Sequence, residues 1–219
     1  MHLASSSNLP YLVVMQRPSP TTLSYILFNK PYGVLSQFTE EGGRTSLSSF
    51  GPFPPDVYPV GRLDAESEGL LLLTNDNALK HRLTDPKFGH PRTYLVQVER
   101  IPDEKAIRKL ATGVMIGGRK TQPADVRLLD NEPSLPPRPV PIRFRKNVPT
   151  AWLEITLREG RNHQVRRMTA ATGHPTLRLV RVAIGEFSLG TLPPGGSRTL
   201  PGSRISFASR ITSRRDLHP

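Results

Sequence analysis

The sequence predicts an α+β fold, a mixed sheet flanked by helices, on three observations. Residues 69–74 (GLLLLT) form an apolar run bounded by Gly69 and Asn75-Asp76, as a fully buried strand would be. Arg92–Glu99 (RTYLVQVE) sets Tyr94, Val96 and Val98 against Leu95, Gln97 and Glu99, the two-residue period of a half-buried strand. Strands and helices alternate irregularly, with some strands adjacent in the chain, which suits a mixed sheet better than a strict βαβ repeat.

Residues 1–22 are rich in Ser, Pro and Thr, and residues 191–219 mix Pro, Gly, Ser and Arg, so both ends are expected to be poorly ordered. This gives an N-terminal extension (1–22), one compact unit (23–200) and a basic C-terminal tail (201–219). Residues 25–29 (YILFN) read as a strand stopped by Lys30-Pro31-Tyr32-Gly33. After the 69–74 strand, Asn75 or Asp76 caps a helix with the apolar stripe Ala78, Leu79 and Leu83, ended by Asp85-Pro86. Pro102-Asp103-Glu104 opens a second helix, with Ile107 and Leu110 on its core side and Gly113 as a left-handed terminator. Residues 133–149, rich in Pro and Arg, read as a loop. Residues 152–157 are a strand, Glu159-Gly160-Arg161 turns into a helix capped by Asn162 and closed by Gly173, and 177–184 returns as a strand.

The 219 residues carry 30 Lys and Arg against 18 Asp and Glu, a formal net charge of +12. From residue 161 onward there are ten arginines, no lysine and only two acids, Glu186 and Asp216. Arginine forks pair with phosphate and stack on bases, so a polyanion is the expected partner. The absence of cysteine excludes disulfides, thiolate metal sites and a thiol nucleophile, and fits a reducing cytoplasm. No apolar run approaches the roughly 18 residues that span a bilayer, so no membrane association is expected. Residues 113–121 (GVMIGGRKT) fail as a P-loop because the lysine falls one position late and Pro123 blocks the following helix. The six histidines show no metal-ligand spacing, and no G-x-S-x-G elbow is present, so neither a metal site nor a serine hydrolase is supported.

The most informative segment is Gly61-Arg62-Leu63-Asp64-Ala65-Glu66-Ser67-Glu68-Gly69, which leads into the buried strand. Taken alone, an Asp there is most often a turn residue. The whole phrase GRLDAESEGLLLLTND, however, closely resembles the signature around the catalytic Asp of pseudouridine synthases. Two further blocks agree in order and spacing: Arg92-Thr93-Tyr94-Leu95-Val96 resembles the family's K-x-Y strand, with Arg in place of Lys, and residues 158–168 (REGRNHQVRRM) resemble its third motif. The resemblance spans about residues 25–190. Within the family it is nearest the small-subunit and E-type large-subunit ribosomal RNA enzymes, which share Asn29-Lys30-Pro31-Tyr32-Gly33-Val34-Leu35. Most such enzymes carry an S4-like RNA-binding domain first; about 22 residues are too few for one, which favours the E type.

The resemblance implies a mixed, largely antiparallel sheet around a catalytic cleft. It also implies cofactor-free isomerisation of a uridine in 23S ribosomal RNA, in the peptidyl-transferase region, by a cytoplasmic monomer. Asp64 would be the catalytic carboxylate, as nucleophile or as base. Arg166 would pair with it in a direct salt bridge and keep it ionised, or else bind phosphate as a solvated cation. Tyr94 would stack on the base, though an aromatic on an alternating strand is ordinarily core, and Leu179 would pack beneath the base or serve the core. Arg62 would fill the place of the extruded uridine or clamp a phosphate, and Arg161 and Arg167 would bind RNA. Two rival readings stand beside this: a noncatalytic ribosomal-RNA-binding assembly protein, and a glycoside hydrolase using Asp64 and Glu68. The second needs two carboxylates facing each other across a gap of roughly 5–10 Å.

Overall fold

A computed structural model describes residues 22–142 and 147–205. Among them the chain forms β1 (Tyr25–Lys30), β2 (Tyr58–Pro59), β3 (Glu68–Thr74), α1 (Asn77–Thr84), β4 (Arg92–Glu99), α2 (Glu104–Thr112) and β5 (Met115–Ile116). There follow β6 (Arg119–Lys120), β7 (Asp125–Leu128), β8 (Thr150–Leu157), α3 (Gln164–Ala171), β9 (Thr176–Ile184), β10 (Phe187–Ser188) and β11 (Ser197–Thr199). The main sheet has the order β11-β1-β3-β9-β4-β8-β7, with β2 also on β3 and β10 also on β9, while β5 and β6 make a separate hairpin. All pairings are antiparallel except β3 with β9. The expected mixed, largely antiparallel architecture is therefore present.

The parallel joint is short. Strands β3 and β9 meet only at Glu68–Val180 and Gly69–Arg181, whereas β1 with β3 and β4 with β9 run alongside each other for most of their lengths. The sheet is thus two halves joined at a narrow seam. Gly69, at φ 104°, makes that seam possible, because a Cβ there would collide with the Arg181 backbone.

Three apolar clusters support the sheet. One joins Leu70 and Leu72 to Leu79 and Leu83 of α1 and to Val180. The second joins Val96, Val98, Leu153 and Ile155 to Leu110 of α2 and Val165 and Met168 of α3. The third packs Ile26, Phe28, Leu71 and Leu73 with Leu47 and Val57. Helix α1 begins where the sequence indicates, Asp76 accepting from the Leu79 amide at 3.0 Å. Ala78 is exposed, because the two-turn helix meets the sheet through Leu79 and Leu83 alone. Gly113 terminates α2 with φ 93° and ψ 142°, a positive-φ extended residue and not the left-handed cap expected, since Thr121 packs against its backbone.

Helix α3 departs more. His163, not Asn162, precedes it, in the left-handed region at φ 49° and ψ 32°, and its side chain makes no capping bond. Gln164 folds back to accept from the Arg161 amide instead. Gly173, at φ 86°, follows the end of the helix as expected. At the C-terminus, β11 joins β1 and a turn at Gly202–Arg204 brings Ile205 into the first cluster. The start of the tail therefore packs, because it carries one apolar side chain that the sheet can bury. Residues 1–21 and 206–219, the rest of both proposed extensions, lie outside the described residues.

Candidate active site

Beside the seam lies a cleft of about 890 Å³, lined among others by Arg62, Asp64, Arg92, Tyr94, Arg161, His163, Leu179 and Arg181. One wall is the loop carrying Asp64. Ser36 Oγ accepts from the Leu63 amide at 3.0 Å and donates to the Leu63 carbonyl at 2.8 Å, while the Leu63 side chain is buried. The Asp64 carbonyl accepts from the Ser67 amide, closing a turn, and the Ala65 carbonyl accepts from the Gly33 amide at 2.8 Å. With its backbone fixed on both sides, the loop presents the Asp64 carboxyl to the cleft.

Lys30 holds the same loop from inside. Fully buried at the end of β1, it donates to the carbonyls of Pro31, Val34 and Ala65 at 2.9, 2.7 and 3.2 Å. Burial pushes the Lys30 ammonium down to about 7, opposed by the charges of Glu68 and Asp64.

The partner of Asp64 is His163: Nδ1 lies 3.0 Å from Oδ2. The expected Asp64–Arg166 salt bridge is absent, and Arg166 donates from Nη2 to the Glu66 carbonyl at 2.8 Å. The later start of α3 explains the difference. The left-handed residue before the helix places the His163 ring at Asp64, and Arg166, on the first turn, reaches the loop two residues further on. Arg166 thus braces the backbone of the catalytic-loop candidate and leaves its carboxylate alone.

From β4, Tyr94 points to the side of Val96 and Val98, directly opposite Arg181 on β9 and Ile155 on β8. Leu179 is both core and cleft wall, so its two readings coincide. Arg62 is exposed at the rim. Arg92 donates to the Leu83 carbonyl at 2.8 Å, tying β4 to the end of α1. Arg161 lines the cleft but spends its fork on Glu159 and on the carbonyls of Arg119 and Lys120, anchoring the β5–β6 hairpin. Arg167 is exposed, lies near Gly117 of that hairpin and does not line the cleft. Glu68, the second carboxylate of the glycosidase reading, is buried and bonded twice by Arg178, at 2.9 Å each. It does not face Asp64 across open space. Among the described residues, no group of three or more His, Asp or Glu is placed to hold a metal.

Residues 24–171 match the family model for RNA pseudouridylate synthase. The chain belongs to this family. It is 57% identical over 172 residues to "Ribosomal large subunit pseudouridine synthase E" of Xanthomonas campestris pv. campestris, covering 78% of this chain and 91% of that protein. It is 53% identical over 170 residues to the protein of the same name from Vibrio parahaemolyticus, covering 78% and 71%. Among solved structures it resembles a "Crystal structure of pseudouridylate synthase", with TM-score 0.69, 30% identity and 83% and 72% of the two chains covered. The synthase is an isomerase, and no described helix is long and apolar enough to cross a membrane.

The residues that shape the candidate site and that sequence reasoning missed are His163 and Arg181, which line the cleft, and Lys30, which holds the Asp64 loop from inside. His163 sits inside the third-motif phrase and Lys30 inside Asn29-Lys30-Pro31, so both were in view as residue types. Only the left-handed turn before α3 and the closure of β1 onto the loop give them their positions.

Proposed function

We propose that the protein isomerises a uridine of 23S ribosomal RNA, in the peptidyl-transferase region, to pseudouridine, with Asp64 as the reacting carboxylate. The observation that carries the reading is Asp64 itself: it belongs to the GRLD phrase, on a backbone fixed from two sides, with its carboxyl in the cleft that Tyr94 and Leu179 also line. The choice of large-subunit RNA rests on the likeness to the synthases E. The net charge of +12 suits a polyanionic substrate.

The reaction breaks the C1′–N1 bond, turns the uracil and joins C5 to C1′, with no change of oxidation state and no cofactor. Asp64 either attacks C1′ or removes a sugar proton, and both uses require it ionised. His163 holds one carboxylate oxygen and so orients the other. Reaching Asp64 requires the uridine to leave its stack, at a cost of a few kcal/mol. Tyr94 and Leu179 receive the base, and Arg62 at the rim contacts the backbone or enters the vacated place. We assign this work to a monomer in the cytoplasm.

The noncatalytic assembly-protein reading has no use for a carboxylate held in this way. Carbodiimide-stopped reverse transcription of 23S rRNA from cells with and without the gene tests the proposal. One stop in the peptidyl-transferase region should vanish with the gene, and an unchanged pattern of stops refutes the assignment.

A further inference from the structure

Arg181 leaves β9 at the seam, is 3% exposed, and still lines the cleft. Its Nε donates to the Leu70 carbonyl at 2.8 Å, which fixes the plane of the fork, while Nη2 is buried without a hydrogen-bond partner. None of the ion pairs among the described residues involves it, since Asp64 is taken by His163 and Glu68 by Arg178. Burial weakens its hold on the proton and the Arg92 charge adds to that, while Arg181 in turn adds a smaller repulsion to the burial that lowers Lys30. The Tyr94 hydroxyl beside Arg181 and the Leu70 carbonyl favour its charge, but neither is an anion. A buried cation with a spare donor and no counter-ion is costly to the fold, and the cost is offset if a ligand brings the anion.

An extruded uridine offers two anions. Its phosphates remain at the rim, where the exposed Arg62 stands, and its base travels deepest, toward Tyr94 and Leu179. The base becomes an anion during the reaction. When C1′–N1 breaks, the electron pair stays on uracil and is shared among N1, O2 and O4. When C5 then bonds to C1′, the C5 proton leaves to a base and N1 gains a proton, so the product is a neutral isomer. We infer that Arg181 is a catalytic residue whose guanidinium hydrogen-bonds a carbonyl oxygen of the target uracil and stabilises the charge that gathers there as the glycosidic bond breaks. This rests on the uridine isomerisation proposed above.

The test compares full-length wild type, Arg181→Met and Arg181→Lys in single turnovers on 23S rRNA transcripts containing uridine or 5-fluorouridine. Fluorouracil leaves more readily and has no C5 proton to lose, so it reports bond cleavage alone. Arg181→Met should lose about a hundredfold in rate on uridine, in the range seen when one oxyanion donor is removed. Arg181→Lys should lose less, and both deficits should shrink at least tenfold on fluorouridine, with rRNA affinity and its salt slope unchanged. If Arg181→Met does not fold, the shrinking deficit of Arg181→Lys decides. Equal deficits on the two substrates, or wild-type rates, overturn the inference. A shallower salt slope with a matching loss of affinity also overturns it and makes Arg181 a phosphate contact. A wild type that modifies no uridine overturns the proposed function as well; an active wild type matched by Arg181→Lys and Arg181→Met overturns this inference alone.

Discussion

His163 holds the Asp64 carboxylate, with 3.0 Å between Nδ1 and Oδ2, and Arg166 holds the Glu66 carbonyl of the same loop. Two residues three apart in the third motif thus fix one loop in two ways, one through the Asp64 carboxylate and one through the backbone. The His163 and Asp64 side chains are 49% and 36% exposed, so their attraction is screened and worth about 1 kcal/mol or less. Its contribution is orientation. His163→Ala should lower kcat about fivefold and leave rRNA affinity within twofold, while His163→Gln, which keeps a donor, should recover part of the rate. A drop in affinity with kcat unchanged would show that the ring contacts RNA instead.

The seam between β3 and β9 depends on Gly69, whose positive φ and contact with the Arg181 backbone admit no side chain. Gly69→Ala should cost at least about 2 kcal/mol in urea unfolding, since the new methyl meets backbone that cannot step aside. A change under about 0.5 kcal/mol would mean the two half-sheets separate freely.

Glu68 and Arg178 are 8% and 10% exposed and joined by two hydrogen bonds, with Arg178 also donating to the Pro136 carbonyl of the 133–149 loop. Glu68→Gln alone should cost about 3 kcal/mol, because it strands a buried guanidinium. Glu68→Met with Arg178→Met should cost less than that single change. Additive losses in the double-mutant cycle would contradict a coupled pair.

Lys30 makes stability depend on pH in a definite direction. Its folded value of about 7 lies below its ordinary 10.5, so between these limits the unfolded chain binds more protons and stability rises with pH. The charged lysine is a penalty that is complete below about pH 7 and fades toward 10.5. The unfolding free energy of wild type relative to Lys30→Met should therefore grow between pH 7 and pH 9.5 in urea titrations. A constant difference would mean Lys30 titrates normally.

The eight longest elements were legible because each states itself locally. The run 69–74 and the alternation of Arg92–Glu99 mark strands, and Asp76 and Asp103 mark helix starts. The two-residue strands β2, β5, β6 and β10 were not, since nothing in so short a segment competes with a turn until a neighbour pairs with it. In the cleft, Asp64 was legible as a residue, and so were Tyr94 and Leu179. The pairing of Asp64 was not: moving the helix start from Asn162 to His163, through a left-handed residue, redirects one ring and one guanidinium. Arg181 was hidden for another reason, because in LRLVRV it is one arginine of an alternating strand, and only the seam with Gly69 buries it.

The most direct test of the central claim is Asp64→Asn, which removes the charge and little volume. Tritium release from C5-labelled uridine in 23S rRNA transcripts, measured beside filter binding and thermal unfolding, reads chemistry, affinity and fold in one set of samples. Asp64→Asn should give no release above background, with rRNA affinity within twofold and an unchanged Tm. Release near the wild-type rate would show that Asp64 is not the reacting carboxylate.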